Sequence, residues 1–223
     1  ISKIEKYYSE KRKREKLNFN FFSAIVSGKH EKEHIEKYHS NFIGYLLNAN
    51  ANHDFGDLFL RNFFDILPDG IDKHNLPKAS SFKLERERIT EYGRFIDIFL
   101  ECGKDYAIFI ENKIWSGEQP NQIKDYLAFI ENDYKKGIGI FLTLDGKSAE
   151  STKDYPKNDS FKIINLSYKN IIKWLEKCCG DEEIKKIPHI HSALVQYIII
   201  IKKILKIMSE ENKEVVDFII SDY

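Results

Sequence analysis

Cysteine is scarce. Three cysteines, two of them adjacent at Cys178 and Cys179, make neither a disulfide framework nor a spaced zinc site. Reduced thiols in a cytoplasmic protein are the simple expectation. Net charge is also missing: Lys+Arg and Asp+Glu each number 35, so no global field draws the chain onto nucleic acid. That argues against a broad polyanion-coating surface but leaves room for a local basic rim. The most apolar run, Tyr197–Ile201, is far short of the ~20 residues that span a bilayer, and it reads as a buried element. No charged-then-apolar leader opens the sequence, so no secretory signal is expected. Repeats and low-complexity tracts are absent.

What is present suits one ordinary domain over residues 1–223, with 42% hydrophobic and 13% aromatic residues to form a core. Helices are expected over 1–67. Residues 1–16 read as a solvated helix whose basic run, Lys11–Lys16, is either surface or a phosphate contact. A short aromatic helix follows at Phe19–Val26. Glu31–Ala49 places His39, Phe42, Ile43, Leu46 and Leu47 at helical spacing, and Asp57–Leu67 repeats the pattern. A sheet-containing core is expected over 81–178. It begins with an alternating edge strand, Phe82–Thr90, and continues through a hairpin at 94–114. A helix started by Pro120 leads to an apolar strand, Gly137–Leu144, running parallel to the hairpin's second strand by a right-handed crossover. Phe161–Leu166 is a last strand, and Ser167 caps a helix to Cys178. Residues 190–223 read as two helices broken near Ser209–Glu210, although Ile198–Ile201 also suits a strand. His189 and His191 lack a third ligand and read as the start of a helix or a loop. The expected class is α/β, an αβββαβ core with a mixed sheet flanked by helices.

The hairpin organises the rest. Two apolar runs flank the turn Cys102–Asp105, and each is interrupted by charge: Asp97 in the first, Glu111 and Lys113 in the second. Alternation along a strand puts Glu111 and Lys113 on one face and Asn112 on the other. Unpaired carboxylates are costly in a sheet centre, so their presence asks for a reason. Two carboxylates can hold a hard divalent cation, Mg²⁺ or Mn²⁺, that activates water against a phosphodiester, while a neighbouring lysine orients that water or offsets phosphate charge. The plain alternative is a pair of polar edge strands with a cross-strand Asp–Lys pair. On helical spacing Glu36 falls inside the apolar arc of its helix, so it either faces the interior or a pocket or else snorkels out or pairs with a lysine.

Asp97 followed by Glu111-x-Lys113 resembles the PD-(D/E)XK nuclease superfamily, with the family's first dipeptide reduced to Ile96-Asp97. Gln122 and Tyr126, one helical turn apart after that strand, resemble the Q-x-x-x-Y motif of RecB-type exonuclease domains. Upstream, Glu36, His39, Ser40, Leu46 and Leu47, then His53, Gly56, Phe59 and Leu60, are similar to the N-terminal helices of a bacterial and phage branch. The resemblance implies a restriction-endonuclease-like fold and a metal-dependent nuclease acting on DNA, with a place in phage defence or mobile-element biology. It implies Asp97, Glu111 and the Asn112 main-chain carbonyl as metal ligands, Lys113 as the water-orienting group, and Gln122 and Tyr126 at the substrate. The Glu36-x-x-His39-Ser40 match adds a third acidic group, holding metal through water. A catalytically silent binding or interaction module with the same fold stays open, as does a homo-oligomer or protein partner. A zinc-dependent HNH-type site is poorly supported, because no histidine beside a strand has a ligating companion.

Overall fold

Residues 106–113 and 136–143 are buried along almost their whole length, the pattern of central strands covered on both faces. In the computed structural model, which describes residues 20–22, 31–114, 116–156 and 158–205, that cover is helical on each side. The elements run α1 (Glu31–Leu47), α2 (Leu58–Asp65), β1 (Lys83–Ile89), β2 (Phe95–Cys102), β3 (Tyr106–Lys113) and α3 (Gln122–Asp133). They continue with β4 (Lys136–Thr143), β5 (Phe161–Ser167), α4 (Tyr168–Cys179), the single turn α5 (Glu182–Lys185) and α6 (Pro188–Ile204).

The sheet is mixed, in spatial order β1-β2-β3-β4-β5. The first three strands form an antiparallel meander, and β4 and β5 join in parallel. Strand alternation sorts the side chains. Ile98, Leu100, Ile108, Ile110, Ile138 and Ile140 face a core shared with α1, α2, α4 and α6. Phe99, Phe109 and Phe141 face a second core closed by Ile123, Tyr126, Leu127 and Ile130 of α3. Phe109 lies across Gly139, its partner in the register, where any Cβ would collide with the ring. This is the expected α/β, restriction-endonuclease-like arrangement with helices on both faces.

Two local expectations give way. Pro120 does not start α3: the helix begins at Gln122 behind Asn121, which sits in the left-handed region at φ 58°, and the Pro120 carbonyl instead accepts from Arg94 Nη2 at 2.7 Å. Ile198–Ile201 is helical. Leu194, Tyr197, Ile198 and Ile201 bury one side of α6, and burying that stripe outweighs the strand preference of a β-branched run. His189 and His191 lie in the first turn of α6. The expected helix over 1–16, its basic run, most of the 19–26 helix and the break near Ser209 lie outside the described residues.

One departure from regular pairing places the site. The β2–β3 ladder ends at Ile98↔Ile110, whereas β3 stays with β4 as far as Lys113↔Thr143. Upstream of Ile98, β2 pairs only with β1. The two strands part between Asp97 and Glu111.

Candidate active site

Backbone groups released by that fork need partners, and side chains supply them. Asp97 Oδ2 accepts the Asn112 backbone N–H at 2.9 Å, in place of a ladder bond. Glu111 follows Phe109 on the α3 side and is 2% exposed. Its Oε1 accepts from Lys113 Nζ at 2.7 Å and from Gln122 Nε2 at 2.8 Å. Its Oε2 is buried without a hydrogen-bond partner.

Helix α3 presents the other half of this face. Gln122 Nε2 also donates to the Tyr126 hydroxyl at 3.0 Å, and that hydroxyl donates to the Phe95 carbonyl at 2.6 Å. Gln122 Oε1 accepts the Gln119 N–H at 3.2 Å. Arg94 anchors the start of the helix, with Nε to Asp125 Oδ2 at 2.7 Å and Nη1 to Gln119 Oε1 at 3.0 Å. Gln122 and Tyr126 are both buried, so their polar atoms meet Glu111 and the β2 backbone.

On the opposite face Asn112 meets α1 and α4. Its Nδ2 donates to Ser40 Oγ at 3.0 Å and to the Glu36 carbonyl at 3.3 Å, and its Oδ1 accepts from the Tyr168 hydroxyl at 2.8 Å. One turn along α1, His39 Nδ1 lies 2.8 Å from the Tyr197 hydroxyl. Burial drives the His39 pKa down to about 4 against the pull of Glu36, leaving a neutral imidazole. The Glu36 carboxylate caps the chain leaving β3: Oε1 accepts the N–H groups of Ile114 at 2.8 Å and Ser116 at 2.9 Å, and Oε2 accepts from Ser116 Oγ at 2.8 Å.

The charges do not balance. Burial raises the Glu111 pKa towards about 8, and the charge of Asp97 adds to the rise. Burial also raises Asp97, opposed by the Asn112 N–H, Lys113 and Arg86 and assisted by Glu36. Lys113 is held down by burial, yet Glu111, Asp97 and Glu36 outweigh that and raise it. Both members of the Lys113–Glu111 pair therefore rise, which for a carboxylate is the wrong direction for a satisfied ion pair. The 2.7 Å contact is real pairing, but burial outweighs it at Glu111, and three carboxylates face only the Lys113 ammonium and the Arg86 guanidinium. More positive charge would relieve the site.

The structure thus brings together Asp97, Glu111, Lys113, Gln122 and Tyr126. Glu36 stands close enough for Asp97 and Lys113 to feel its charge, but its carboxylate is engaged by the loop after β3. Among the described residues no three Asp, Glu, His or Cys side chains form a group able to hold a metal ion, so any metal here would rely on two carboxylates completed by main-chain oxygen and water. The partners of the site that sequence reasoning missed are Arg86, Arg94, Tyr168 and Ser116, which become neighbours only through the fold. Ser40 and Asn112 were named, but their mutual bond was not. A model of the PD-(D/E)XK nuclease superfamily matches residues 19–199, and no curated protein matches the chain. With that match over most of its length and the acidic fork at the expected Asp97 and Glu111, the chain belongs to the PD-(D/E)XK nuclease superfamily.

Proposed function

We propose that this protein is a divalent-metal-dependent nuclease that hydrolyses phosphodiester bonds in DNA. The observation that carries the reading is the partnerless Glu111 Oε2, buried beside Asp97 in a site short of positive charge. A hard cation fits that donor set, and the residues to hold Mg²⁺ or Mn²⁺ would be Asp97 and Glu111, with the Asn112 main-chain carbonyl and, through water, Glu36. When bound, the ion supplies an acidified water and charge on the phosphate. Lys113, 2.7 Å from Glu111 Oε1, has donors to spare for that water or a phosphate oxygen. Water oxygen attacks phosphorus and gives up a proton to solvent, one P–O ester bond breaks, and the leaving oxygen takes a proton from solvent. Gln122, which donates to Glu111, and Tyr126 buried behind it support the wall against which the substrate strand would lie. Phage defence or mobile-element biology is the proposed setting.

The test is cleavage of single- and double-stranded DNA with Mg²⁺ or Mn²⁺ and with chelator. Cleavage should require the ion, and Asp97→Ala, Glu111→Ala and Lys113→Ala should each abolish it while unfolding stays cooperative. Cleavage undiminished in chelator or in Lys113→Ala would overturn the assignment. A wild-type protein that binds DNA without cutting it would favour a silent binding module.

A further inference from the structure

Strand β1 breaks its own ladder at one rung. Arg86↔Ile98 and Arg88↔Ile96 are paired, but the rung between them, Glu87 with Asp97, is not made. Glu87 has φ 53°, in a left-handed region that a glutamate rarely occupies. Strain of this kind persists only where the surroundings hold it, and the exposed Glu87–Lys37 pair at 2.8 Å is too weak to do so by itself. The Asp97 carbonyl accepts from the Arg86 side chain, through Nε. The same guanidinium reaches α1, where Nη1 donates to Asn41 Oδ1 at 2.7 Å. Helix α1 makes room for it with a glycine: a Cβ on Gly44 would stand 2.5 Å from Arg86 Cδ. A strained glutamate, a missing rung, an arginine on the Asp97 carbonyl and a glycine clearing its path all converge on the main chain of one acidic residue.

We propose that Arg86 is a positioning residue for Asp97, holding its main chain out of the β1 ladder so that its carboxylate is presented in the fork opposite Glu111. This rests on the metal-site reading above. The alternative is an ordinary edge-strand arginine, and the two readings differ in sign. Arg86 is a cation beside Asp97, so on Coulombic grounds alone its removal would tighten binding of a metal ion. A positioning role predicts weaker binding in spite of the lost repulsion.

Mn²⁺ dissociation constants measured by calorimetry on the full chain separate them. Arg86→Met and Arg86→Lys should both weaken Mn²⁺ binding, by roughly 10- to 100-fold as for other groups that orient metal ligands. The lysine variant keeps the charge but cannot span both Asp97 and Asn41 with a planar fork. Gly44→Ala, which leaves the arginine in place but pushes it aside, should weaken binding in the same direction. Arg88→Lys, on the next outward position of β1, should bind as wild type. Binding by Arg86→Met as tight as wild type or tighter overturns the proposal, as does an equal loss in Arg88→Lys. Should an Arg86 variant fail to unfold cooperatively, Gly44→Ala decides the matter. Wild-type protein that binds no Mn²⁺ would instead remove the metal site, and this role with it.

Discussion

Where β2 and β3 meet their turn, every rung is made from Cys102↔Tyr106 to Ile98↔Ile110, and the residues between are almost all apolar. Phe99 and Phe109 lie opposite one another there, each fully buried. One residue beyond the last rung of each strand, at Asp97 and Glu111, the ladder stops and the backbone is satisfied by side chains instead. Asp97 takes the Asn112 N–H, Tyr126 donates to the Phe95 carbonyl, Arg86 donates to the Asp97 carbonyl, and Glu36 accepts from Ile114 and Ser116. The hairpin end maximises pairing and burial. The fork end gives both up and keeps a buried carboxylate oxygen without a partner. Rigidity at one end lets the other hold an arrangement that would not be stable alone.

The contrast fails if the hairpin end proves dispensable. Phe109→Ala should lose about 3–5 kcal/mol of stability by denaturant titration, because the ring fills the space over Gly139 and packs edge-on against Tyr126 at 5.5 Å. In chelator, Glu111→Gln two residues away should cost far less, since it removes a carboxylate whose charge burial and Asp97 oppose and leaves Lys113 facing Asp97 and Glu36. A loss below about 1 kcal/mol for Phe109→Ala would mean that the core is not concentrated at that end.

Proton linkage sharpens the comparison. Glu111 titrates near 8 when folded against an ordinary 4.5, so the folded metal-free protein binds more protons than the unfolded chain between those values. Its contribution to stability is complete at low pH and is lost as pH rises towards 8. His39 acts in the opposite sense between about 4 and its ordinary 6.5, because burial lowers it, which leaves pH 6.5 to 8 as the clean window. Melting temperatures in chelator should fall across that window in wild type and stay flatter in Glu111→Gln. Mn²⁺ should stabilise the wild type most at its upper edge. Equal slopes in the two proteins would remove Glu111 as their source.

The smallest expected effect lies on α3. Gln122→Ala should weaken DNA binding or turnover about tenfold, the order of one hydrogen bond to a charged group, and should lower Mn²⁺ affinity by less than Glu111→Ala does, since Gln122 touches only the ligand Glu111. Loss of Mn²⁺ affinity as large as that of Glu111→Ala would move Gln122 from substrate placement to the metal.

Much of this molecule is legible along the chain, because the relevant physics is local. Period-two alternation marks β1, apolar runs broken only by a few charges mark β2 and β3, an unbroken one marks β4, and a 3.6-residue stripe marks α1. Asp97, Glu111 and Lys113 stand out because charge within an apolar strand is expensive and needs a reason. Local rules failed where a distant residue intervened. Pro120 stands outside α3, behind a left-handed Asn121 and with its carbonyl on Arg94, and Ile198–Ile201 became helical because one stripe of α6 could be buried. The sequence alone marked the five strands of the sheet, which side of β3 each residue takes, and that Asp97 and Glu111 would be costly to bury. Only the tertiary structure decided that β2 and β3 part between those two residues, that Arg86 crosses past Gly44 to the Asp97 carbonyl, and that Glu36 meets a loop nearly eighty residues away. Those are contacts between segments far apart in sequence, and their energies depend on which groups packing removes from water, a quantity no single segment carries.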